Sequence, residues 1–261
     1  MKILYVFPHP DDESFGPGGA IHKQIQEGNQ VFLLTLTKGG ATKVRHQLGL
    51  SVEEMGQVRE REMQKVKQTL GIAEMKILDY PDGGLAKIDP IELEKEVKKW
   101  ITIFCPDVVV TYPVHGGSGH HDHIALHHVV KRLFFERKDG LRFWRRLALF
   151  TVVDTGLPMF FEGGIPRVTW TKSEDISVTV ELGEENIEAT NDALLCYESY
   201  QEMVKTTNVI ERIGNRTHFE LVNERPDNVL ASLTEGLEDC PEDCCTAPDN
   251  HCSGGGRTGC C

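Results

Sequence analysis

Ile3-Leu4-Tyr5-Val6-Phe7-Pro8-His9-Pro10-Asp11-Asp12-Glu13 is the stretch on which the reading of this chain turns. Its first five residues are an unbroken apolar run and read as a buried strand. The chain then packs one imidazole and three carboxylates into a short loop. It passes Gly16-Pro17-Gly18-Gly19 and enters a helix-like segment over residues 20–28. Each proline fixes its own φ and biases the residue before it toward extended geometry, so His9 and the carboxylates have few directions to point in. His and Asp are common ligands for zinc or iron, and the second Asp leaves a carboxylate free to act as a base. Taken alone, the loop reads more readily as a polar turn with an Asp capping the helix that follows, and the second cluster described below is what changes that reading.

Working outward, strands and helices alternate. Residues 30–36 form a second apolar strand, and a polar, Gly-containing loop runs on to Gly49. Ser51 caps a long helix that Gly71 ends, with Glu53 and Glu54 in the first turn, where negative charge suits the helix dipole. Residues 75–78 make a third strand, and Pro90 opens a helix to residue 104. Residues 107–112 make a fourth strand, as continuously apolar as a central parallel strand should be. A helix over 122–136 and a strand over 147–153 follow. Five strands alternating with helices predict an α/β fold, a doubly wound, Rossmann-like parallel sheet with helices on both faces. Beyond Asp154 a smaller, irregular C-terminal part begins. Residues 155–176 read as a loop excursion over the site, 176–182 as a strand, 184–204 as a helix and 217–222 as one more strand.

Composition fits this picture. The 261 residues, 39% hydrophobic and 26% charged, suit a soluble domain, placed at residues 1–236. A net charge of −12 argues against a nucleic-acid partner. No apolar run is long enough for a membrane span. The chain starts directly in a strand without a secretory signal, which points to the cytoplasm. Cys105 and Cys196 lie in apolar segments as small core residues. The other six cysteines crowd into residues 240–261. Residues 237–261 therefore read as a Cys-rich tail outside the fold, with a metal- or redox-binding tail as the alternative.

A second polar cluster follows the fourth strand: His115-Gly116-Gly117-Ser118-Gly119-His120-His121-Asp122-His123. In a doubly wound sheet of order 3-2-1-4-5, strands one and four are neighbours at the topological switch point, where ligands bind outside the carboxyl ends. The two clusters are a hundred residues apart in sequence and are predicted to face each other. His9, Asp12 and one histidine of the second cluster then supply the three protein ligands of a catalytic zinc site, which keeps an open position for water. Asp11 adjoins Asp12 and suits the base, and a second histidine suits the oxyanion partner or acid.

These two motifs resemble those of the LmbE/PIG-L family of zinc-dependent N-acetylglucosaminyl de-N-acetylases. The likeness covers roughly residues 1–205 and extends to Tyr80-Pro81-Asp82-Gly83-Gly84 and to Arg59 and Glu62. It implies His9, Asp12 and His123 as zinc ligands, Asp11 as general base and His120 as acid or oxyanion partner. Arg59 and Asp82 match positions that reach sugar hydroxyls. Two positions depart from the pattern, His121 where the family usually has Pro, and Ser118 where some relatives carry an aromatic. Of the remaining residues, His127 and His128 read as packing or surface residues. Glu13 reads as a partner of a ligand or a helix cap, and Arg59 also suits an i,i+3 pair with Glu62. The expectation is a hydrolase that removes the acetyl group from an N-acetylated amino sugar, an N-acetylglucosamine conjugate. It would use one Zn²⁺ per chain, with Fe²⁺ as the alternative metal. The partner is a small amino-sugar substrate, and a homo-oligomer is compatible with the sequence. The rivals are a metal-dependent phosphoester hydrolase and a non-catalytic nucleotide- or metal-binding module.

Overall fold

The computed structural model describes residues 1–137, 143–153, 161–162, 165–166, 169–207, 209 and 214–238. In chain order, β1 (Lys2–Phe7), α1 (Gly18–Gln26), β2 (Gln30–Thr37), α2 (Val44–Gln47), α3 (Val52–Leu70) and β3 (Glu74–Tyr80) make the first half of the sheet. Next come α4 (Pro90–Phe104), β4 (Val108–Thr111), the single turn α5 (Gly116–Gly119), α6 (His121–Glu136) and β5 (Arg146–Thr151). A short hairpin, β6 (Phe161–Glu162) and β7 (Ile165–Pro166), is followed by β8 (Val178–Glu181), α7 (Glu184–Cys196), α8 (Gln201–Thr207) and β9 (Arg216–Leu221).

The seven-stranded sheet has the order β3-β2-β1-β4-β5-β9-β8. The first five strands are parallel and wound as the sequence predicts, with Ile3 opposite Val108 and Tyr5 opposite Val110. Both motif loops therefore leave neighbouring strand ends. The sheet is not parallel throughout: β9 runs antiparallel to β5, and β8 antiparallel to β9. The residues say why. In β4 every side chain is buried, whereas in β9 buried Thr217, Phe219 and Leu221 alternate with half-exposed His218 and Glu220. That alternation is the mark of an antiparallel strand with one covered face.

Helices cover both faces. Ile3, Tyr5 and Phe7 pack against Ile21 of α1, Met63 and Val66 of α3 and Ala193 of α7. Leu4 and Val6 pack on the other face against Val97 and Ile101 of α4 and Leu126 and Val130 of α6. Each such side chain contributes about 1.5–3 kcal/mol by leaving water. The helix ends follow local rules: Ser51 and Glu54 form a capping box, and Gly71 ends α3 in a left-handed conformation.

Other expectations need correction. The helix expected over 184–204 is broken, because Tyr197 leaves helical geometry and its side chain is buried. Cys105 is 5% exposed, as a core residue should be, but it is disulfide-bonded. Packing extends past residue 236: Leu237 rests on the core, and Arg145 Nη1 donates to the Glu238 carbonyl. The cysteines of the tail, and residues 154–160 of the excursion, lie outside the described residues. Among the described residues, no helix is long and apolar enough to cross a membrane.

Candidate metal and catalytic site

The loop after β1 and the turn before α6 bring the two clusters together at the edge the winding predicts. His9 Nδ1 stands 3.2 Å from His123 Nε2. Asp12 reaches the same place, Oδ1 at 3.5 Å from His123 Nε2 and Oδ2 at 3.7 Å from His9 Nδ1. The close approach depends on Gly116, at φ 64°, where a Cβ would sit 2.9 Å from the Cβ of His123.

The outer nitrogen of each ring has its own partner. His123 Nδ1 lies 2.9 Å from the Gly116 carbonyl. His9 Nε2 lies 3.1 Å from Asp122 Oδ2 and 3.3 Å from Asp82 Oδ1. Those oxygens only accept, so both outer nitrogens carry protons, and in the neutral rings the inner nitrogens then face each other as lone pairs beside the carboxylate of Asp12. Electron pairs that converge in this way call for a positive charge between them. Electrostatics agree. Burial alone would lower the His9 pKa, but Asp122, Asp12 and Asp82 outweigh it and raise it. Burial and then the neighbouring His9 push His123 down to about 3. The pocket thus attracts one added positive charge and resists a second proton, which suits a cation shared by both rings. The donor set of two imidazoles and a carboxylate fits zinc or iron. Besides Asp12, the nitrogens of His9, His120 and His123 lie within 4.8 Å of one another, as do ligand atoms of His9, Asp82 and Asp122. The latter group is already committed, since Asp122 also accepts the Gly83 and Leu85 N–H groups at 2.8 and 2.9 Å.

Asp12 is held by Tyr112, whose hydroxyl donates to Oδ1 at 2.7 Å and whose ring stacks on His123, and by the His9 N–H at 2.8 Å. Asp11 adopts a left-handed φ of 87°. Its Oδ2 accepts from Arg59 Nη2 at 2.7 Å, and the same nitrogen donates to the Pro10 carbonyl. Burial pushes the Asp11 carboxyl up, and the guanidinium opposes it. Arg59 is only 1% exposed and lies against the ring of Tyr200, but its Nε and Nη1 have no hydrogen-bond partner among the described residues. The pair with Glu62 does not form, because Glu62 accepts from the Ser199 N–H and hydroxyl.

His120 caps α6 at the mouth of the site, where its Nδ1 accepts the Asp122 N–H and its ring meets His9 edge-on at 4.7 Å. Burial, then His9 and His123, lower its pKa. Asp82 accepts the Ala41 N–H at 2.7 Å and borders a cleft lined by Lys38, Gly40, Gln57 and Tyr80. His127 is buried as a packing residue and bonds the Tyr112 carbonyl, while His128 is exposed. Glu13 neither touches a ligand nor caps α1, whose N-cap is Pro17. It is fully buried, accepts from Tyr197 and Ser14, and burial raises its pKa to about 7. Asp122, Tyr112 and Tyr197 were not singled out from the sequence. Asp122 had a signal, since it sits inside the second motif next to His123.

Likeness to known proteins points to one family. The family model described as "GlcNAc-PI de-N-acetylase" (PIG-L) matches residues 4–134, just over half of the chain. A 1D-myo-inositol 2-acetamido-2-deoxy-alpha-D-glucopyranoside deacetylase from Saccharomonospora viridis is 33% identical over 161 residues, 54% of this chain and 60% of its own. An enzyme of the same description from Kineococcus radiotolerans is 30% identical over 169 residues, 54% of this chain and 47% of its own. The chain thus spans about half the length of these curated relatives. The zinc-inhibited form of teicoplanin deacetylase Orf2 shares the fold, with a TM-score of 0.62 and 17% identity over 87% of this chain and all of that one.

Proposed function

Since the chain belongs to the GlcNAc-PI de-N-acetylase (PIG-L) family, we propose that it is a metal-dependent hydrolase that removes the acetyl group from an N-acetylated amino sugar, an N-acetylglucosamine conjugate. The observation that carries the reading is the pair of inner imidazole nitrogens, His9 Nδ1 and His123 Nε2, facing each other 3.2 Å apart beside Asp12. His9, Asp12 and His123 would hold the ion, zinc in the first instance and iron(II) as the alternative. When bound, the ion supplies Lewis-acid chemistry, acidifying water and polarising a carbonyl.

The chain's own groups do the rest. Asp11, fixed by Arg59, takes the proton of the attacking water. The bond to Nη2 opposes the upward push that burial gives the Asp11 carboxyl, and it aims the group. His120 has its Nδ1 occupied as an acceptor, so its proton sits on Nε2 and is offered to the developing oxyanion. Its lowered pKa supports a neutral donor there, and the proton collected by Asp11 is available to the leaving nitrogen. Asp82 at its cleft is the group offered to sugar hydroxyls, while Arg59, buried and outside that cleft, acts from behind Asp11. The test is free-amine release from N-acetylglucosamine and from 1D-myo-inositol 2-acetamido-2-deoxy-alpha-D-glucopyranoside by the zinc-loaded protein. Release that a chelator abolishes and zinc restores supports the reading. No release from either compound by protein with stoichiometric zinc overturns it.

A further inference from the structure

The break between α7 and α8 is docked onto the first motif, and the docking atom is one hydroxyl. Tyr197 Oη accepts the Asp11 N–H at 2.8 Å and donates to Glu13 Oε1 at 2.6 Å. Glu13 Oε1 also accepts from Ser14 Oγ at 2.7 Å, while Oε2 is buried and has no partner among the described residues. Tyr197 and Glu13 are both fully buried. Asp11, the residue between them, sits at φ 87°, a conformation that costs a non-glycine residue free energy and persists only where its surroundings impose it. The tertiary bonds that impose it are the Arg59 bond to the side chain and the Tyr197 bond to the backbone N–H. The Asp11 carbonyl accepts the Ser14 and Phe15 N–H groups at 2.9 and 2.8 Å, which leaves the N–H side of the residue to Tyr197. Adding the Tyr197 bond fixes both ends of the residue.

We infer that Tyr197, with Glu13 behind it, is a positioning residue that holds Asp11 in its left-handed conformation and so delivers the base to the site. It touches none of His9, Asp12 or His123 through the bonds described, so it governs the direction of Asp11 and not the affinity for metal. The role of Asp11 as base rests on the function proposed above, whereas the strap itself does not.

The variant Tyr197→Phe removes the hydroxyl and keeps the ring against Arg59. Two readouts separate positioning from simple stability. In the metal-free protein, hydrogen exchange at the Asp11 amide should accelerate at least tenfold more than exchange at core amides of β1 and β4. In the zinc-loaded protein with N-acetylglucosamine, kcat should fall roughly 10- to 100-fold, the equivalent of one charge-assisted hydrogen bond, with KM within threefold and zinc affinity unchanged. The comparison variant is Ser199→Ala, which loosens the same kink from Glu62 without touching the loop. It should leave kcat within twofold. If Tyr197→Phe does not fold, Glu13→Leu removes the other end of the strap and should speed Asp11 exchange in the same way. Unchanged Asp11 exchange, or an equal loss of kcat in Ser199→Ala, overturns the inference. If the unaltered protein releases no amine but Asp11 exchange still responds, the proposed function fails and the strap stands.

Discussion

Replacing Asp122 by Asn exchanges one oxygen for an NH₂ group and should disturb one or two of the three hydrogen bonds the carboxylate makes. Asp122 is fully buried, and N–H groups of Leu85, Gly83 and His9 point at its two oxygens from 2.9, 2.8 and 3.1 Å. An Asn side chain has one carbonyl oxygen. If that oxygen serves Gly83 and His9, the new NH₂ faces the Leu85 N–H. If it serves Leu85, the NH₂ faces both Gly83 and the His9 ring and drives His9 to the other tautomer, with its proton on the metal-facing nitrogen. Either orientation leaves at least one buried N–H unpaired, at about 1–3 kcal/mol. For a chain of this size that is a fall in Tm of roughly 2–12 °C. Loss of the carboxylate that orients His9 should also weaken zinc binding about 10- to 100-fold. Competition against a chromogenic chelator at near-neutral pH measures the second effect, and melting of the metal-free protein measures the first. Wild-type zinc affinity with an unchanged melt would refute the idea that Asp122 sets the tautomer and aim of His9.

Other outcomes follow from the same geometry. Asp11→Asn should keep its zinc and lose about 10²- to 10⁴-fold in amine release, and a variant that keeps full turnover excludes Asp11 as the base. Chain cut after Glu238 should retain stoichiometric zinc, because the ligands and the last packed residues remain, and metal analysis of the purified fragment checks this. His127 is buried and held neutral, its pKa lowered by burial to about 4. Folded and unfolded chains are both unprotonated there above the ordinary histidine value, so its contribution is complete at neutral pH. As pH falls from about 6.5 toward 4, only the unfolded chain gains the proton, and stability should drop by about 2–3 kcal/mol. Urea unfolding of His127→Gln beside the parent should show the difference between them shrinking by about 2 kcal/mol from pH 7 to about 4.5. A difference that stays constant with pH would assign the acid sensitivity to other groups.

The sheet centre and the meeting of the two motifs were legible because each rests on local signals. The apolar run at 3–7 and its counterpart at 107–112 mark buried parallel strands, and the winding rule places their ends together. What was not legible depends on contacts that no spacing encodes. Arg59 lies on a helix whose pattern allows a pair with Glu62, yet it turns inward to Asp11, 48 positions away in sequence. Tyr197 interrupts a segment whose composition reads as continuous helix, because its hydroxyl is needed by Glu13, 184 positions earlier. The antiparallel edge was half legible: the alternation in 217–221 was present, but a single short strand does not declare its neighbour. Tyr112 followed an apolar strand and read as its last residue, and only the fold shows its hydroxyl on Asp12.

The order of the final strands bears on how the molecule is made. β9, the last strand among the described residues, lies between β5 and β8, which are completed before it. Until residue 221 has left the ribosome, β5 keeps a bare flank of amide and carbonyl groups, and β8 has no sheet to join. Such a flank is a template for intermolecular pairing. Nascent chains held before β9 has emerged should therefore be the species that chaperones retain.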